Sequence, residues 1–213
     1  MRAVWYERHG APHEVIELGD MPAPTVGPGE VRVKLAASGV NPADCYRRRG
    51  QAGAMEGPRI IPNSDGAGVV DQIGAGVPQA WLGRRVWLYN GQRGGRALGT
   101  AAEYIALPID LVSALPDDTG FDAGACLGIP CMTAHRAVFT DGPIAGKTVL
   151  VTGGAGAVGH YAVQLAVWGG ARVVATVSSP EKAAHALAGG AALAIDYKRE
   201  NVVATIRDFT KGE

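Results

Sequence analysis

Residues 147–166 read KTVLVTGGAGAVGHYAVQLA, and no other stretch constrains the fold as strongly. A short apolar, β-branched run leads into a glycine-dense turn, and the residues after it take helical spacing. Gly154, Gly156 and Gly159 stand in G-x-G-x-x-G order. Glycine is common here, at 31 of 213 residues, so the pattern alone is weak. Its context raises it, because it leaves a buried-type strand, opens a helix and lies in a βαβ unit of suitable length. Glycines at such a turn let the backbone approach a pyrophosphate, and the helix N-terminus offers that anion free N–H groups and a positive dipole end. A tight strand-to-helix turn that holds no ligand is the plainer alternative.

The residues that follow repeat the rhythm. ARVVATV reads as a second strand, LAIDY as a third, and ENVVATIRDFT as a helix after it. Between the second and third strands, SPEKAAHALAGG predicts a helix with Ser179 as N-cap, Pro180 at its first position and Glu181 in its first turn. Strand and helix in alternation imply a parallel sheet with right-handed crossovers. Pro130 interrupts the mixed, partly helical stretch before this half. The first half differs. EVRVKLAAS alternates apolar and polar residues, GAGVVDQIG and RRVWLYN repeat the theme, and Gly/Pro clusters such as EGPRIIPNSDG and GQRGGRALG part them. Short strands with frequent turns suggest a partly open β-barrel or sandwich.

Composition removes several function classes. Twenty basic residues balance twenty acidic ones, so no net field favours nucleic acid or a membrane surface. Arg47, Arg48 and Arg49 form the one tight basic run and are expected to be a solvated loop. No apolar run approaches the length of a membrane span. Cys45, Cys126 and Cys131 form no CxxC pair, which fits a reducing cytosol. The first residues, MRAVWYERHG, turn polar at once and do not read as a secretory leader, so a cytoplasmic location is expected.

The end of the second strand bears on the ligand. A dinucleotide site for NAD wants an acidic residue there to bond the ribose 2′-hydroxyl. This chain has Ser178 and Ser179, with Lys182 one turn on. Hydroxyls and an ammonium suit a 2′-phosphate, which a carboxylate would repel, so NADPH is the expected cofactor. Ser179 as a helix cap and Lys182 as a surface lysine are the simpler readings of those residues.

GVNPADCYRRRG, PNSDGAGVV, GTAAEYIALP, GIPCMTAHRAV, VLVTGGAGAVGHYAVQLA and TVSSPEKAAHAL occur in that order. Together they resemble the zinc-independent medium-chain dehydrogenases/reductases of the quinone oxidoreductase, or zeta-crystallin, type. The resemblance implies a GroES-like β-barrel substrate domain over residues 1–124 and a partial Rossmann domain over 125–213. It implies NADPH-dependent hydride transfer to a small-molecule quinone or α,β-unsaturated carbonyl. An enoyl-thioester reductase and a non-catalytic NADPH-binding fragment are the alternatives. The cofactor residues it implies are Gly154, Gly156, Ala157, Val158, Gly159, Ser178, Ser179 and Lys182, with Tyr197 beside the 2′-phosphate and Asn41 and Thr133 near the nicotinamide. Asn41, Tyr46 and Thr133 are the implied catalytic set, in which the Asn41 amide can donate to a substrate oxygen.

Zinc alcohol dehydrogenases of the same superfamily carry Cys where this chain has Asn41, and Gly-His-Glu where it has Asn63-Ser64-Asp65. Asn and Ser are poor zinc ligands, so no metal is expected. Cys45 is expected to be a small buried residue. His135, His160 and His185 fall on predicted helices and are expected to be partly exposed. The chain stops after its third βα unit, where the family continues for roughly ninety residues at about thirty per unit. A C-terminally truncated chain without the usual dimer segment is therefore the expectation, with an exposed sheet edge and low stability or self-association.

Overall fold

The computed structural model describes residues 1–92 and 94–212. Arg93, in the turn expected over GQRGGRALG, and Glu213, the last residue assigned to the second domain, lie outside the described residues. The chain divides into two compact units, Met1–Ile129 and Pro130–Glu213.

The first unit is built from antiparallel strands. β1 (Arg2–Trp5) pairs with β2 (Glu17–Asp20), and the four-residue α1 (Pro12–Val15) lies between them in sequence. β3 (Glu30–Gly39) is followed by α2 (Pro42–Arg48), β4 (Asp65–Ile73), β5 (Arg85–Leu88), β6 (Tyr104–Pro108), β7 (Val112–Ala114) and the short α3 (Phe121–Gly124). These five strands form one sheet in the order β6-β3-β4-β5-β7. Among the described residues that order runs from edge to edge without closing.

The alternation in β3 does what its sequence predicts. Val31 and Val33 are fully buried with Val70, Val86, Leu88, Ile105 and Leu107, while Arg32 between them points away from that core. There its guanidinium donates to both Asp71 oxygens and lies 5.1 Å from the Tyr104 ring centre. The β3–β4 pairing sets Gly39 opposite Asp65. Asn41, two residues past Gly39, is thereby delivered to the start of β4.

The basic run at residues 47–49 is not the solvated loop its charge suggests. Arg47 and Arg48 close the last turn of α2, and Arg48 is buried. Arg47 donates to Gln92 Oε1 at 2.7 Å, and Arg48 donates to the Gly10 carbonyl. Helical spacing turns two of the three guanidiniums inward, onto a buried amide and a main-chain acceptor. Only Arg49 of the three is exposed.

In the second unit, one π-helical turn over Leu127–Cys131, which begins in the first unit and contains Pro130, leads into α4 (Met132–Phe139). Then β8 (Thr148–Val151), α5 (Ala157–Trp168), β9 (Arg172–Val177), α6 (Pro180–Ala188), β10 (Leu193–Asp196) and α7 (Val202–Thr210) alternate. The three strands are parallel in the order β10-β9-β8, the 3-2-1 order of one half of a dinucleotide fold. Helix α5 buries Gly159, Ala162, Val163 and Ala166, spaced three, one and three residues apart on one face. Against them pack Val173, Ala175 and Val177 of β9 and Ala186 of α6. The Ser179 hydroxyl caps α6 by accepting the Lys182 N–H at 3.3 Å, and Asn201 caps α7 through Ala204. Among the described residues no helix is long and apolar enough to cross a membrane.

Two histidines of the second unit meet. The His160 and His185 rings stack with centres 3.9 Å apart, and His160 Nδ1 is buried without a hydrogen-bond partner. Burial first, and the neighbouring His185 second, hold the His160 pKa below its ordinary value of 6.5. The unfolded chain therefore takes up that proton more readily. This contribution to stability is complete above about pH 6.5 and is lost as pH falls below it. On lowering from about pH 7.5 to about pH 5.5, the thermal midpoint of His160→Phe should fall less than that of wild type, by a few degrees. Parallel pH series on the two proteins measure this, and equal losses would contradict the assignment.

Candidate functional site

In the second unit the site grows out of one tight turn. Gly153 adopts φ +65°, a left-handed conformation that suits glycine. Its N–H donates to Thr176 Oγ1 at 3.1 Å, and the Gly154 N–H donates to the Thr176 carbonyl at 3.0 Å. The turn is thus pinned to β9. Gly156 then caps α5, and a Cβ on Gly159 would stand 2.1 Å from the Gly153 carbonyl oxygen. Only glycine lets the helix come that close. Gly156, Ala157 and Val158 are exposed, and first-turn N–H groups have no acceptor within their own helix.

Beside this helix end lies a pocket of about 200 Å³ lined by Gly153, Ala155, Gly156, Thr176, Val177, Ser178, Lys182 and Tyr197. Four of the sequence-derived residues therefore converge: Gly156 from the turn, Ser178 after β9, Lys182 from α6 and Tyr197 after β10. The Lys182 ammonium donates to Ser178 Oγ at 3.0 Å. Glu181 forms no ion pair with Lys182 among the described residues, and no carboxylate lines the pocket. Ser179 is outside the lining, and its hydroxyl caps the helix. Gly153, Ala155, Thr176 and Val177 also line the pocket and are not among the residues expected from sequence. The doubled Gly153-Gly154 is a usable signal for the first of them, since several tight-turn types need a residue at positive φ, as Gly153 shows. Nothing local marks Thr176, whose role comes from a hydrogen bond across 23 positions.

The first unit holds the other predicted cluster. Asn41 is buried at the N-terminus of α2. Its side-chain Nδ2 donates to Asp65 Oδ2 at 2.8 Å, and its backbone N–H donates to Asp44 Oδ2 at 2.7 Å. Asp65 Oδ2 also accepts the Ile129 N–H at 2.7 Å. Both carboxyls are buried. Burial raises the pKa of Asp44 to about 6 against the opposing Asn41 hydrogen bond, with Asp65 pushing the same way as burial. Burial likewise raises Asp65, opposed by its bonds from Ile129 and Asn41. Tyr46 lies on α2 and is 51% exposed, with its ring open to solvent. Cys45, beside it, is half-buried.

Asn63 takes φ +72° and donates to Ser38 Oγ at 3.0 Å, while Ser64 is buried. Among the described residues no group of three or more His, Cys, Asp and Glu is placed to hold a metal ion. Thr133 belongs to the second unit, exposed in the first turn of α4 and outside the pocket lining.

Comparison with known proteins agrees with this architecture. The alcohol dehydrogenase GroES-like domain model matches residues 27–117, and the zinc-binding dehydrogenase model matches 157–213. The quinone oxidoreductase of Mus musculus is 34% identical over 209 residues, covering 97% of this chain and 61% of its own length. The chloroplastic NADPH-dependent alkenal/one oxidoreductase of Arabidopsis thaliana is also 34% identical, covering 95% of this chain and 54% of that protein. A solved NAD-dependent alcohol dehydrogenase superposes with a TM-score of 0.91 at 32% identity, covering 100% of this chain and 68% of the other. The Escherichia coli quinone oxidoreductase solved with NADPH gives a TM-score of 0.84 at 27% identity, covering 100% and 63%.

The chain belongs to the medium-chain dehydrogenase/reductase family, with a GroES-like unit followed by a Rossmann-type unit. It spans about three fifths of the length of the mouse relative.

Because Gly159 abuts the Gly153 carbonyl, Gly159→Ala should destabilise the chain by about 1–3 kcal/mol through overpacking. Denaturant unfolding measures it. A loss below about 0.5 kcal/mol would show that the turn gives way freely.

Proposed function

We propose that the chain binds NADPH in its second unit and serves an NADPH-dependent reduction of a quinone or an α,β-unsaturated carbonyl. The observation that carries this is the pocket beside α5, where Ser178, Lys182 and Tyr197 meet without a carboxylate in the lining. A pyrophosphate suits the free N–H groups at the start of α5. A 2′-phosphate suits the Lys182 ammonium and the Ser178 hydroxyl, and Tyr197 flanks them. An NAD site would want an acidic acceptor after β9, where this chain has serines. Quinone oxidoreductases and an NADPH-dependent alkenal/one oxidoreductase among the relatives support the same reading.

NADPH, when bound, supplies the hydride. The protein positions and polarises. Asn41 keeps one amide hydrogen free of Asp65 and can donate it to the substrate oxygen, favouring the negative charge that develops there. Tyr46 offers an exposed phenol and ring as a donor or pocket wall. Thr133 is assigned to the nicotinamide end. Hydride adds to the substrate carbon and the resulting oxyanion takes a proton from water, so no dedicated general acid is assigned. Turnover with quinones and with enones separates the two substrate classes.

Zinc has no part in this scheme, because Asn41, Ser64 and Asp65 offer an amide, a hydroxyl and a carboxylate that is already hydrogen-bonded. Elemental analysis after dialysis against a chelator should find less than stoichiometric zinc, and one retained zinc per chain would overturn that part.

Lys182→Ala should weaken NADPH binding about tenfold or more while leaving NADH nearly unchanged, since one charge-assisted hydrogen bond contributes about 1.5–3 kcal/mol. Paired titrations of wild type and variant at fixed salt test this. Equal affinity of the wild type for both cofactors would sink the assignment.

A further inference from the structure

Asp65 has no role so far, yet it is 1% exposed and makes two short hydrogen bonds through a single oxygen. One comes from the Asn41 side chain and one from the Ile129 backbone. Its other oxygen is buried without a partner. The β3–β4 register that faces Gly39 with Asp65 is what brings the carboxylate to the amide.

A carboxylate accepts and does not donate. Asn41 must therefore turn its nitrogen, not its oxygen, toward β4. Half a turn about the last side-chain bond would exchange the two ends of the amide. A substrate carbonyl would then meet an oxygen and be repelled. The Ile129 N–H adds a second condition, because it too demands an acceptor at the same point. Both donors agree on what must stand there.

We propose that Asp65 is a positioning residue that locks the orientation of the Asn41 amide, so that its remaining N–H is the donor presented to the substrate oxygen. This rests on the assignment of Asn41 above as that donor. Asp65 itself touches no substrate.

The proposal separates two substitutions that a general structural role would not. In Asp65→Asn, the Ile129 N–H selects the new amide's oxygen for the shared position, and the new NH₂ falls where the unpartnered oxygen now lies. Both hydrogen bonds persist. Asp65→Leu has similar bulk and accepts nothing, so the Asn41 amide is released.

The test compares wild type, D65N, D65L, N41A and the double variant N41A/D65L as full chains with NADPH and a quinone or enone. D65N should keep kcat within about threefold of wild type, and D65L should lose about tenfold or more in kcat. NADPH affinity should stay within about twofold in both, since its pocket is in the other unit. In the N41A background D65L should lower the thermal midpoint but cost no further kcat, because the two residues act through one amide. An additive loss of kcat in the double variant would assign Asp65 a merely structural role and overturn the proposal. So would a folded, thermally stable D65N that has lost turnover.

Side-chain amide spectra of ¹⁵N-labelled protein give a readout independent of turnover. The Asn41 NH₂ signals, identified by their loss in N41A, should show slow exchange in wild type and D65N and fast exchange in D65L. The same exchange in all three would overturn the proposal. A wild type that binds NADPH and turns over no quinone or enone would instead strike the functional reading, leaving the amide spectra to decide the role of Asp65.

Discussion

The glycine turn leaves no room for a side chain at position 159, where the helix lies against the Gly153 carbonyl, and the nucleotide-type pocket depends on it. A methyl group at position 159 would stand 2.1 Å from that oxygen. Without one, α5 starts at Ala157, against the glycine turn that follows β8, and its first-turn N–H groups have no acceptor within their own helix. Thr176 holds the other side through two hydrogen bonds to the turn. The pocket is therefore a consequence of backbone packing, with few side chains needed to shape it. Its chemistry is added from neighbouring elements: a hydroxyl after β9, an ammonium on α6 and an aromatic ring after β10. This division suits a sequence family with more than one activity, such as the quinone oxidoreductase and the alkenal/one oxidoreductase, each 34% identical to this chain.

The first unit solves a different problem, which is to bury three polar side chains close together. Asn41, Asp44 and Asp65 are all buried, and burial of carboxylates is costly unless each is hydrogen-bonded. Here the Asn41 backbone serves one carboxylate and its side chain serves the other. The raised pKa values of both acids follow from burial that these bonds only partly offset. A cation would relieve such a cluster. The chain relieves it with an amide, and an amide, unlike a metal ion, also has a direction.

Much of this was legible in the sequence because it is local. The caps of α6, the three βα units and the alternation in β3 are governed by residues within one turn or one pleat of each other. Lys182, Ser178 and Tyr197 were readable because a dinucleotide fold puts the ends of its parallel strands side by side. What stayed hidden is long-range. The Asn41–Asp65 bond spans 24 positions, and the Thr176 bond to the turn spans 23. Arg47 and Arg48 looked like solvated charge because their partners, Gln92 and the Gly10 carbonyl, lie 45 and 38 positions away. The His160–His185 stack was equally invisible, since spacing along each helix says nothing about which face of the next helix it will meet.

Lys182 shows how local structure prepares chemistry. The Ser179 hydroxyl caps α6 through the Lys182 backbone N–H, and the Lys182 ammonium reaches back to Ser178. The side chain thus folds back over the helix start and lines the pocket while staying exposed. A long, flexible ammonium loses about 1.5–2 kcal/mol of rotamer freedom when fixed. Part of that cost is met by the fold, before any anion binds, which is the general advantage of a preorganised site. The helix dipole acts in the same sense, because the N-termini of α5 and α6 both adjoin this pocket through Gly156 and Lys182. An anion entering here meets backbone donors on one side and a hydroxyl–ammonium pair on the other. Under the proposed function, discrimination between one phosphate more and one less would fall to those two side chains, and the backbone would supply affinity common to both.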